Sequence, residues 1–283
     1  MPRLPEGLTA RARAYLAGDV EVVAPRDAAT VVLLRDAAAG LEVYLLRRTS
    51  TMAFAAGMHV FPGGSVDPRD AQHSPAWAGP AVVDWAAALG CDGPLARALV
   101  CAAVRETFEE SGVLLAGAPD AVVPDTTGAD WEAERQALLD RSQSLAGLVE
   151  ARGLVVRSDL LRAWTHWITP EFEPRRFDTR FFVAAVPAGQ RARDISGEAD
   201  QAVWLPVAGA VAGYETGRFP MLPPTIVTLR ELSAYATVTE VLAARTTLAP
   251  VMPRPVFDGD DLRLVVDLPE GERPADSVVR ELA

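Results

Sequence analysis

Three glutamates in the stretch RETFEES at 105–111 are the side chains of this sequence best placed to do chemistry. On a helix of about 100° per residue, Glu109 and Glu110 lie about 60° and 40° to either side of Glu106, so the three carboxylates share one side. Carboxylates this close repel one another and raise each other's pKa unless a cation lies among them. Because hard oxygen donors prefer Mg²⁺ or Mn²⁺, the spacing predicts a divalent metal site.

The alternative is a solvated acidic helix face, which is the commoner origin of an isolated string of this kind. Here the residues that precede the glutamates on the same side are Leu99, Ala102 and Ala103, so this face is not an ordinary solvent-exposed one. The opposite side carries an apolar stripe suited to packing on a sheet: Val100, Cys101, Val104 and Phe108. Arg105 lies four residues before Glu109 and can hold that carboxylate in place.

The elements that must position this helix alternate irregularly along the chain. Strand-like runs lie at 29–35, 41–47, 59–61, 161–169, 176–187, 202–207 and 262–268. Helical patterns lie at 94–111, 129–151 and 225–244. The stretch 65–94 is predicted to be an inserted loop with one possible helical turn. This order favours an α/β fold with a mixed sheet between helices over a doubly wound parallel sheet.

Glycine and proline mark the ends of the key segments. Gly40 suits a hairpin between the first two strands, and Pro62-Gly63-Gly64 predicts a sharp turn that exposes backbone groups. Pro94 suits the first turn of the carboxylate helix, and Gly112 suits the position just after its last turn.

Composition limits the classes of function. The net charge of −11 argues against non-specific binding to nucleic acid or to anionic membranes. Cys91 and Cys101 have no zinc-like pattern and are predicted to be free thiols. Since no signal peptide or transmembrane run is evident, we expect a cytoplasmic protein. We predict a single domain over 1–283, with a core of about 25–250, insertions at about 68–94 and 118–158, and a C-terminal extension at about 250–283.

The two glycine and glutamate segments together resemble a split Nudix signature. RETFEESGV at 105–113 is similar to its second half, with Thr107 as the soft mismatch, and VFPGG at 60–64 is similar to its start. Gly64 lies 41 residues before Arg105, which is 27 more than the signature spacing, and the glutamate expected after five residues has no assigned counterpart. The chain thereby resembles, over about 29–250, the Nudix branch that includes a peroxisomal acyl-coenzyme A diphosphatase.

This resemblance implies a Nudix-type α/β/α sandwich with helical insertions and a bound Mg²⁺ or Mn²⁺. The metal ligands that it implies are Glu106, Glu109, Glu110 and the carbonyl of Gly63. It also implies catalytic parts for Glu109 and Arg105, and a further carboxylate from a loop before a late strand as ligand or general base. Glu198 is the candidate for that carboxylate and Asp200 its rival, with an acidic turn in solvent as the alternative reading of both.

Substrate recognition is predicted from the segment YLLRRTSTMAFAAGMHVFPGG at 44–64, which resembles a coenzyme A signature upstream of the box in related diphosphatases. A coenzyme A substrate requires cationic groups near its phosphates. The candidate substrate-binding residues are Gly64 of the glycine loop and five arginines: Arg47, Arg48, Arg175, Arg176 and Arg180. For each arginine, a surface or structural ion pair is an equally common role.

We therefore expect a metal-dependent hydrolase that cleaves a diphosphate linkage in a small molecule. The leading hypothesis for the substrate is coenzyme A or acyl-coenzyme A, which would give 3′,5′-ADP and (acyl-)4′-phosphopantetheine. Two alternatives stay open: the same chemistry on a dinucleotide, nucleotide sugar or nucleoside triphosphate, and a non-catalytic Nudix-fold binding module. The intact carboxylates favour an enzyme. The family resemblance also implies a homodimer. We expect no nucleic acid or membrane as partner.

Overall fold

The structure is a computed structural model that describes residues 6–49, 55–72, 75–193, 199–246 and 248–266. The strands within these ranges are β1 (Arg26–Ala37), β2 (Gly40–Arg48), β3 (His59–Val60), β4 (Gly63–Ser65), β5 (Trp77–Ala78), β6 (Ala116–Gly117), β7 (Val155–Arg157), β8 (Arg162–Ile168), β9 (Phe177–Ala185), β10 (Ala199–Pro206), β11 (Pro250–Val251), β12 (Arg254–Asp258) and β13 (Asp261–Val265). The helices are α1 (Glu6–Leu16), α2 (Pro68–Gln72), α3 (Val82–Leu89), α4 (Gly93–Ser111), α5 (Ala129–Leu139), α6 (Leu145–Ala151), α7 (Val207–Glu215), α8 (Pro223–Leu232) and α9 (Val238–Ala243), with a 3₁₀ turn at Ser158–Leu160.

A mixed sheet forms the centre of the fold. Its strand order is β10-β2-β1-β9-β8-β11, with β3 beside β2 and β4 beside β1. The β1–β9 and β8–β11 pairs are parallel and the other pairs are antiparallel. Two small sheets, β5-β7-β6 and β12-β13, lie outside it. The predicted hairpin is confirmed, because β1 and β2 pair up to the Ala37–Gly40 register on either side of the turn.

Helical layers cover both faces of this sheet. Side chains alternate along β1, so Ala29, Val31 and Leu33 face a core shared with α3, α4, α5 and α6. Val32 and Leu34 face a second core shared with α1, α7, α8 and α9. The predicted α/β/α sandwich with a mixed sheet between helices is therefore confirmed.

Helix α4, which carries the three glutamates, begins and ends where its sequence predicts. The Asp92 side chain accepts a hydrogen bond from the Leu95 amide (2.9 Å), and Pro94 occupies the first turn. The helix ends at Gly112, which has a left-handed backbone with φ 72°. Its predicted apolar stripe is buried, and so are Leu99, Ala102 and Ala103 on the other side. The two predicted free thiols are confirmed, with Cys101 buried in this helix.

Two expectations from the sequence were wrong in detail. The described part of 65–94 contains α2, β5 and α3 rather than a loop with one helical turn. The late helix at 225–244 is two helices, because the Thr237 side chain accepts from the Glu240 amide (3.2 Å) and starts α9 anew. The predicted last strand is confirmed as β13, which pairs with β12, and 267–268 lie outside the described residues.

No single helix among the described residues is long and apolar enough to cross a membrane, and only α3 and α4, bent by 89°, pass that test as a pair.

Candidate metal and diphosphate site

The glycine loop lies directly against the carboxylate helix. β4 pairs with Ala28–Thr30 of β1, and the Val31 amide donates to the Pro62 carbonyl (2.8 Å). The Gly63 amide donates to Oε2 of Glu110 (2.9 Å). The fold thus brings together the two segments that the sequence separates by an insertion.

Gly63 and Gly64 are required for space rather than for an unusual backbone conformation, since neither has a positive φ. A Cβ atom on Gly64 would lie 2.5 Å from Oε1 of Glu106. A Cβ atom on Gly63 would lie 2.6 Å from the Ala29 carbonyl oxygen and 2.8 Å from the Thr30 Cα atom. The first glycine therefore gives room to the β1 backbone, and the second gives room to a site carboxylate.

Arg105 links the helix to the loop. Its Nη1 atom donates to Oε1 of Glu106 (2.7 Å) and to Oε1 of Glu109 (3.3 Å). Its Nη2 atom donates to the Ser65 carbonyl (3.0 Å) and to Oδ2 of Asp70 (2.9 Å). The expected bond between Arg105 and Glu109 is present, and the further bonds to Glu106, Asp70 and the Ser65 carbonyl fix the orientation of the guanidinium.

Asp70 is a site residue that the sequence analysis missed. Its side chain is 1% exposed and forms an ion pair with Arg105. It stands six positions after Gly64, where the Nudix signature has its first glutamate, so the signal was present with Asp in place of Glu. Arg105 then follows 35 residues after Asp70, which places the 27 extra residues after this aspartate.

The electrostatics of the site favour a cation. The pKa of Glu106 is raised to about 7, because burial raises it more than Arg105 lowers it, and Glu109 adds to the rise. Burial also raises the pKa of Glu109, with Asp70 adding to the effect and Arg105 opposing it. Three acidic side chains thus pair with one buried arginine, and a fourth, Glu110, is buried against the Gly63 amide.

The donor chemistry of the site fits a divalent metal ion. Carboxylates and a main-chain carbonyl are the hard oxygen ligands that such an ion prefers, and the excess of negative charge is what it neutralises. Within the described residues, no three acidic, His or Cys side chains converge as a ready ligand shell. The reason is that Glu106 and Glu109 are directed to Arg105, and Glu110 to the Gly63 amide. Metal binding therefore requires these carboxylates to share or exchange their present partners.

The structure describes only one of the two carboxylates predicted as general base or further ligand. Glu198 lies outside the described residues. Asp200, at the start of β10, is bound by Arg47 through two hydrogen bonds, Nε to Oδ1 (2.6 Å) and Nη2 to Oδ2 (2.9 Å). This exposed pair holds β10 against β2, so both charges have partners already. The catalytic part of Glu198 stays a prediction.

The remaining predicted substrate arginines do not gather at the carboxylates. Arg176 is buried and donates to the carbonyls of Val23 (2.7 Å) and Thr169 (3.0 Å). Arg180 is buried and forms ion pairs with Asp178 and Asp27. These contacts favour structural roles for Arg176 and Arg180 and give no support to substrate binding by either.

Two further arginines lie at the edges of strands. Arg48 is half-buried at the end of β2, where its amide donates to the Met58 carbonyl (3.0 Å), and Arg175 is exposed just before β9. Substrate binding by Arg47, Arg48 and Arg175 stays a prediction.

Comparison with known proteins gives the family. Residues 86–232, just over half of the chain, match the protein family described as the NUDT19 Nudix domain. The chain belongs to the Nudix hydrolases, in the NUDT19-like branch. A solved NUDIX hydrolase from Alicyclobacillus acidocaldarius is 32% identical, with a TM-score of 0.67, and the match covers 81% of this chain and 100% of that one.

Two curated relatives of this Nudix hydrolase are also similar in sequence. An acyl-coenzyme A diphosphatase NUDT19 from Xenopus laevis is 26% identical over 245 residues, covering 71% of this chain and 62% of the relative. A putative nudix hydrolase 7 from Caenorhabditis elegans is 28% identical over 211 residues, covering 74% of this chain and 60% of the relative. The chain thus spans about three fifths of the length of either relative.

In this Nudix hydrolase, residues of the predicted insertion at 118–158 contact the C-terminal end of α4. Arg135 of α5 is buried and donates to the main-chain carbonyl of Glu109 (2.9 Å), while forming an ion pair with Glu132. The rings of Phe108 and Trp131 meet edge to face, with centroids 6.3 Å apart. A cation on the last carbonyls of a helix is favourable, so α5 steadies the turn that carries the glutamates.

Proposed function

We propose that this Nudix hydrolase cleaves a diphosphate linkage in a small molecule with the help of Mg²⁺ or Mn²⁺. The observation that carries the proposal is the set of buried glutamates on α4, held against the glycine loop and in excess over their cationic partner. Glu106, Glu109, Glu110 and the Gly63 carbonyl would hold the ion. A bound divalent ion would neutralise the diphosphate and lower the pKa of the attacking water.

The other steps are assigned to the chain's own side chains. Arg105 keeps Glu106 and Glu109 oriented and opposes the effect of burial on their pKa. Glu109 is our candidate to take the proton of the attacking water, with Glu198 as the alternative base or as a further ligand. Without a Cβ atom on Gly64, the loop leaves the space in which the Glu106 carboxylate lies.

Coenzyme A or acyl-coenzyme A is the substrate that we propose, with 3′,5′-ADP and (acyl-)4′-phosphopantetheine as products. Two observations support it: the resemblance of residues 44–64 to a coenzyme A signature, and the name of the Xenopus laevis relative, an acyl-coenzyme A diphosphatase. The net charge of −11 supports small anions, screened by metal, over nucleic acid or membrane surfaces as partners. A homodimer is part of the proposal on family resemblance.

The test is a panel of diphosphates assayed with Mg²⁺ and with Mn²⁺. Purified wild-type protein is compared with Glu109→Gln and with Glu150→Gln, a matched control at an exposed glutamate of α6. We expect turnover of coenzyme A derivatives, a loss of about 10³-fold in Glu109→Gln, and wild-type rates in the control. No turnover on any substrate would favour a binding module, and turnover surviving in Glu109→Gln would remove its catalytic assignment.

Cleavage in heavy-oxygen water examines the bond that breaks. We expect the label on a phosphate product, because the water attacks phosphorus. A label on carbon would exclude this chemistry.

A further inference from the structure

The main-chain carbonyl of Glu109, in the last turn of α4, accepts a hydrogen bond from a side chain of α5. In an uninterrupted helix the donor to this carbonyl would be the Val113 amide, but that amide donates to the Ser111 hydroxyl (3.2 Å). Nη1 of Arg135 donates to the Glu109 carbonyl (2.9 Å). The insertion thus completes the hydrogen bonding of the main chain at a proposed metal ligand.

Segments outside the signature bind two more carbonyls at this end of α4. The Thr126 hydroxyl donates to the Gly112 carbonyl (2.6 Å), and the Arg193 amide donates to the Ser111 carbonyl (2.9 Å). Nη2 of Arg193 also donates to the Thr126 carbonyl (2.9 Å). Because Thr126 and Arg135 both belong to the predicted insertion at 118–158, the position of the last turn of α4 depends on that insertion.

Arg135 is itself held in one orientation. Its side chain is 4% exposed, and its Nε atom donates to Oε2 of Glu132 (3.1 Å), with Nη2 bonded to the same carboxylate. This two-pronged pair leaves Nη1 directed to Glu109. The planar guanidinium therefore fixes the Glu109 main chain, and the neighbouring Phe108 ring packs edge to face on Trp131 of α5.

Glu109 is bound at its two ends by different arginines. Arg105 donates to its carboxylate from the same helix (3.3 Å), and Arg135 donates to its carbonyl from the insertion (2.9 Å). A metal ion at the carboxylate would have to share oxygens with Arg105, whereas the carbonyl bond to Arg135 uses no atom that the ion needs. Arg135 is therefore the arginine that can hold Glu109 in place in both the metal-free and the metal-bound protein.

We propose that Arg135 is a positioning residue for the metal site, an inference that rests on the proposed function. It fixes the main chain of Glu109 and with it the point from which this carboxylate reaches the ion. The insertion thereby acts on metal affinity and on kcat without contributing a ligand of its own. A residue that only stabilised the insertion would change the stability of the protein and leave its metal affinity unaltered.

Three variants separate positioning from stability. Arg135→Met keeps an apolar side chain and removes the donor to the carbonyl. Arg135→Lys keeps the charge and a donor on a side chain without the planar guanidinium. Arg152→Met is the matched control, because the Arg152 guanidinium binds Asp130 and Glu134 of the same helix. Within the described residues, the side-chain bonds of Arg152 go to α5 and not to α4.

The probe is Mn²⁺ alone, titrated by calorimetry into metal-free protein, with the Tm measured in parallel and kcat and KM on the best substrate of the panel. For Arg135→Met we expect about tenfold weaker Mn²⁺ binding and, at saturating Mn²⁺, about tenfold lower kcat with KM within about twofold. For Arg135→Lys we expect about threefold weaker binding. Arg152→Met should also lower the Tm, but it should bind Mn²⁺ as the wild type does.

Wild-type Mn²⁺ affinity in Arg135→Met would overturn the inference, as would an equal loss of affinity in Arg152→Met, which indicates a general effect of stability. If Arg135→Met does not fold, the same comparison is made with Arg135→Lys. The proposed function fails separately. A wild-type protein that binds Mn²⁺ but turns over no diphosphate contradicts that function, while the Mn²⁺ affinities still decide the part of Arg135. A wild-type protein that binds no Mn²⁺ overturns the inference.

Discussion

Two clusters of charged side chains can be compared, one buried at α4 and one partly buried on the sheet. The first, the carboxylate cluster, consists of Asp70, Arg105, Glu106, Glu109 and Glu110. The second, the strand cluster, consists of Asp27, His166, Asp178 and Arg180 on β1, β8 and β9. Its members are neighbours in register, Asp27 with Asp178 and His166 with Arg180, near the Asp92 cap of α4.

The two clusters differ in charge balance. Burial raises the pKa of Glu106 and Glu109 in the carboxylate cluster, where acidic groups outnumber the arginine. In the strand cluster burial raises the pKa of Asp27, whereas the His166 hydrogen bond and the Arg180 charge hold the pKa of Asp178 below its usual range. The strand cluster thus has the smaller excess of acidic groups over cationic ones. The carboxylate cluster, with the larger excess, is therefore the better candidate for function, although both perturb the pKa of their members.

The largest effect is expected from removing the cation of the strand cluster. Arg180→Met leaves Asp27 and Asp178 without their guanidinium, and we expect the free energy of unfolding to fall by about 3 kcal/mol in urea titrations. The kcat/KM of the folded protein should stay within twofold. Arg13→Met, which breaks an exposed pair with Asp260, is the control and should cost less than about 0.5 kcal/mol. A raised KM in Arg180→Met would instead support its predicted part in substrate binding.

The next largest effect is expected at the glycine loop. Gly64→Ala should fold but lose about 100-fold in kcat, because its Cβ displaces only the end of the Glu106 side chain. Gly63→Ala meets the backbone of β1 instead and should lose about 2 kcal/mol of stability.

Gly209→Ala is the matched control for both glycine variants, since its Cβ would meet nothing closer than 3.8 Å. Equal loss of stability in Gly63→Ala and Gly64→Ala would contradict the distinction between room for backbone and room for a carboxylate.

A smaller effect is expected from the partner of Arg105. Asp70→Asn keeps the shape but removes the charge that orients the guanidinium, so we expect kcat to fall about 20-fold. Asp70→Glu supplies the residue type of the plain signature and should retain more activity than Asp70→Asn. Steady-state kinetics at saturating Mn²⁺ measure both. If Asp70→Asn lowered stability and left kcat unchanged, the carboxylate cluster would resemble the strand cluster.

The smallest effect concerns His59, a buried ionisable side chain outside both clusters. Burial lowers its pKa from the ordinary 6.5, while the Pro220 carbonyl acts to raise it. Below pH 6.5 the unfolded chain therefore binds more protons, and stability is lost as the pH falls. His59→Phe keeps the edge contact with Phe219 and should reduce this loss by an amount on the order of 1 kcal/mol between pH 7 and pH 5. Urea midpoints at the two pH values check it, and parallel acid slopes would refute it.

The sequence predicted best what is local. The ends of α4 follow from Asp92, Pro94 and Gly112, whose caps involve neighbours within a turn. The three glutamates follow from helical spacing. The break between α8 and α9 was missed because apolar residues continue through it, although Thr237 and Glu240 form a capping box.

Contacts across long separations were predicted poorly. Asp70 was missed because its bond to Arg105 spans 35 residues and an aspartate replaces the expected glutamate. Substrate binding by Arg176 and Arg180 stays a prediction. Their partners in the structure are mixed in range: Arg180 pairs with Asp178 two residues away on β9 and with Asp27 on β1, and Arg176 donates to the carbonyls of Thr169 and Val23.

The split box has a consequence for folding. In the plain signature the arginine and the first glutamate are eight positions apart, whereas here Asp70 and Arg105 are 35 apart, and their ion pair needs both the β1–β4 pairing and the packing of α4. The longer loop costs only about 1 kcal/mol of additional closure entropy, since this cost grows with the logarithm of length. Recovery of metal affinity after refolding should therefore coincide with global folding, because neither half of the split signature alone holds both ends of that ion pair.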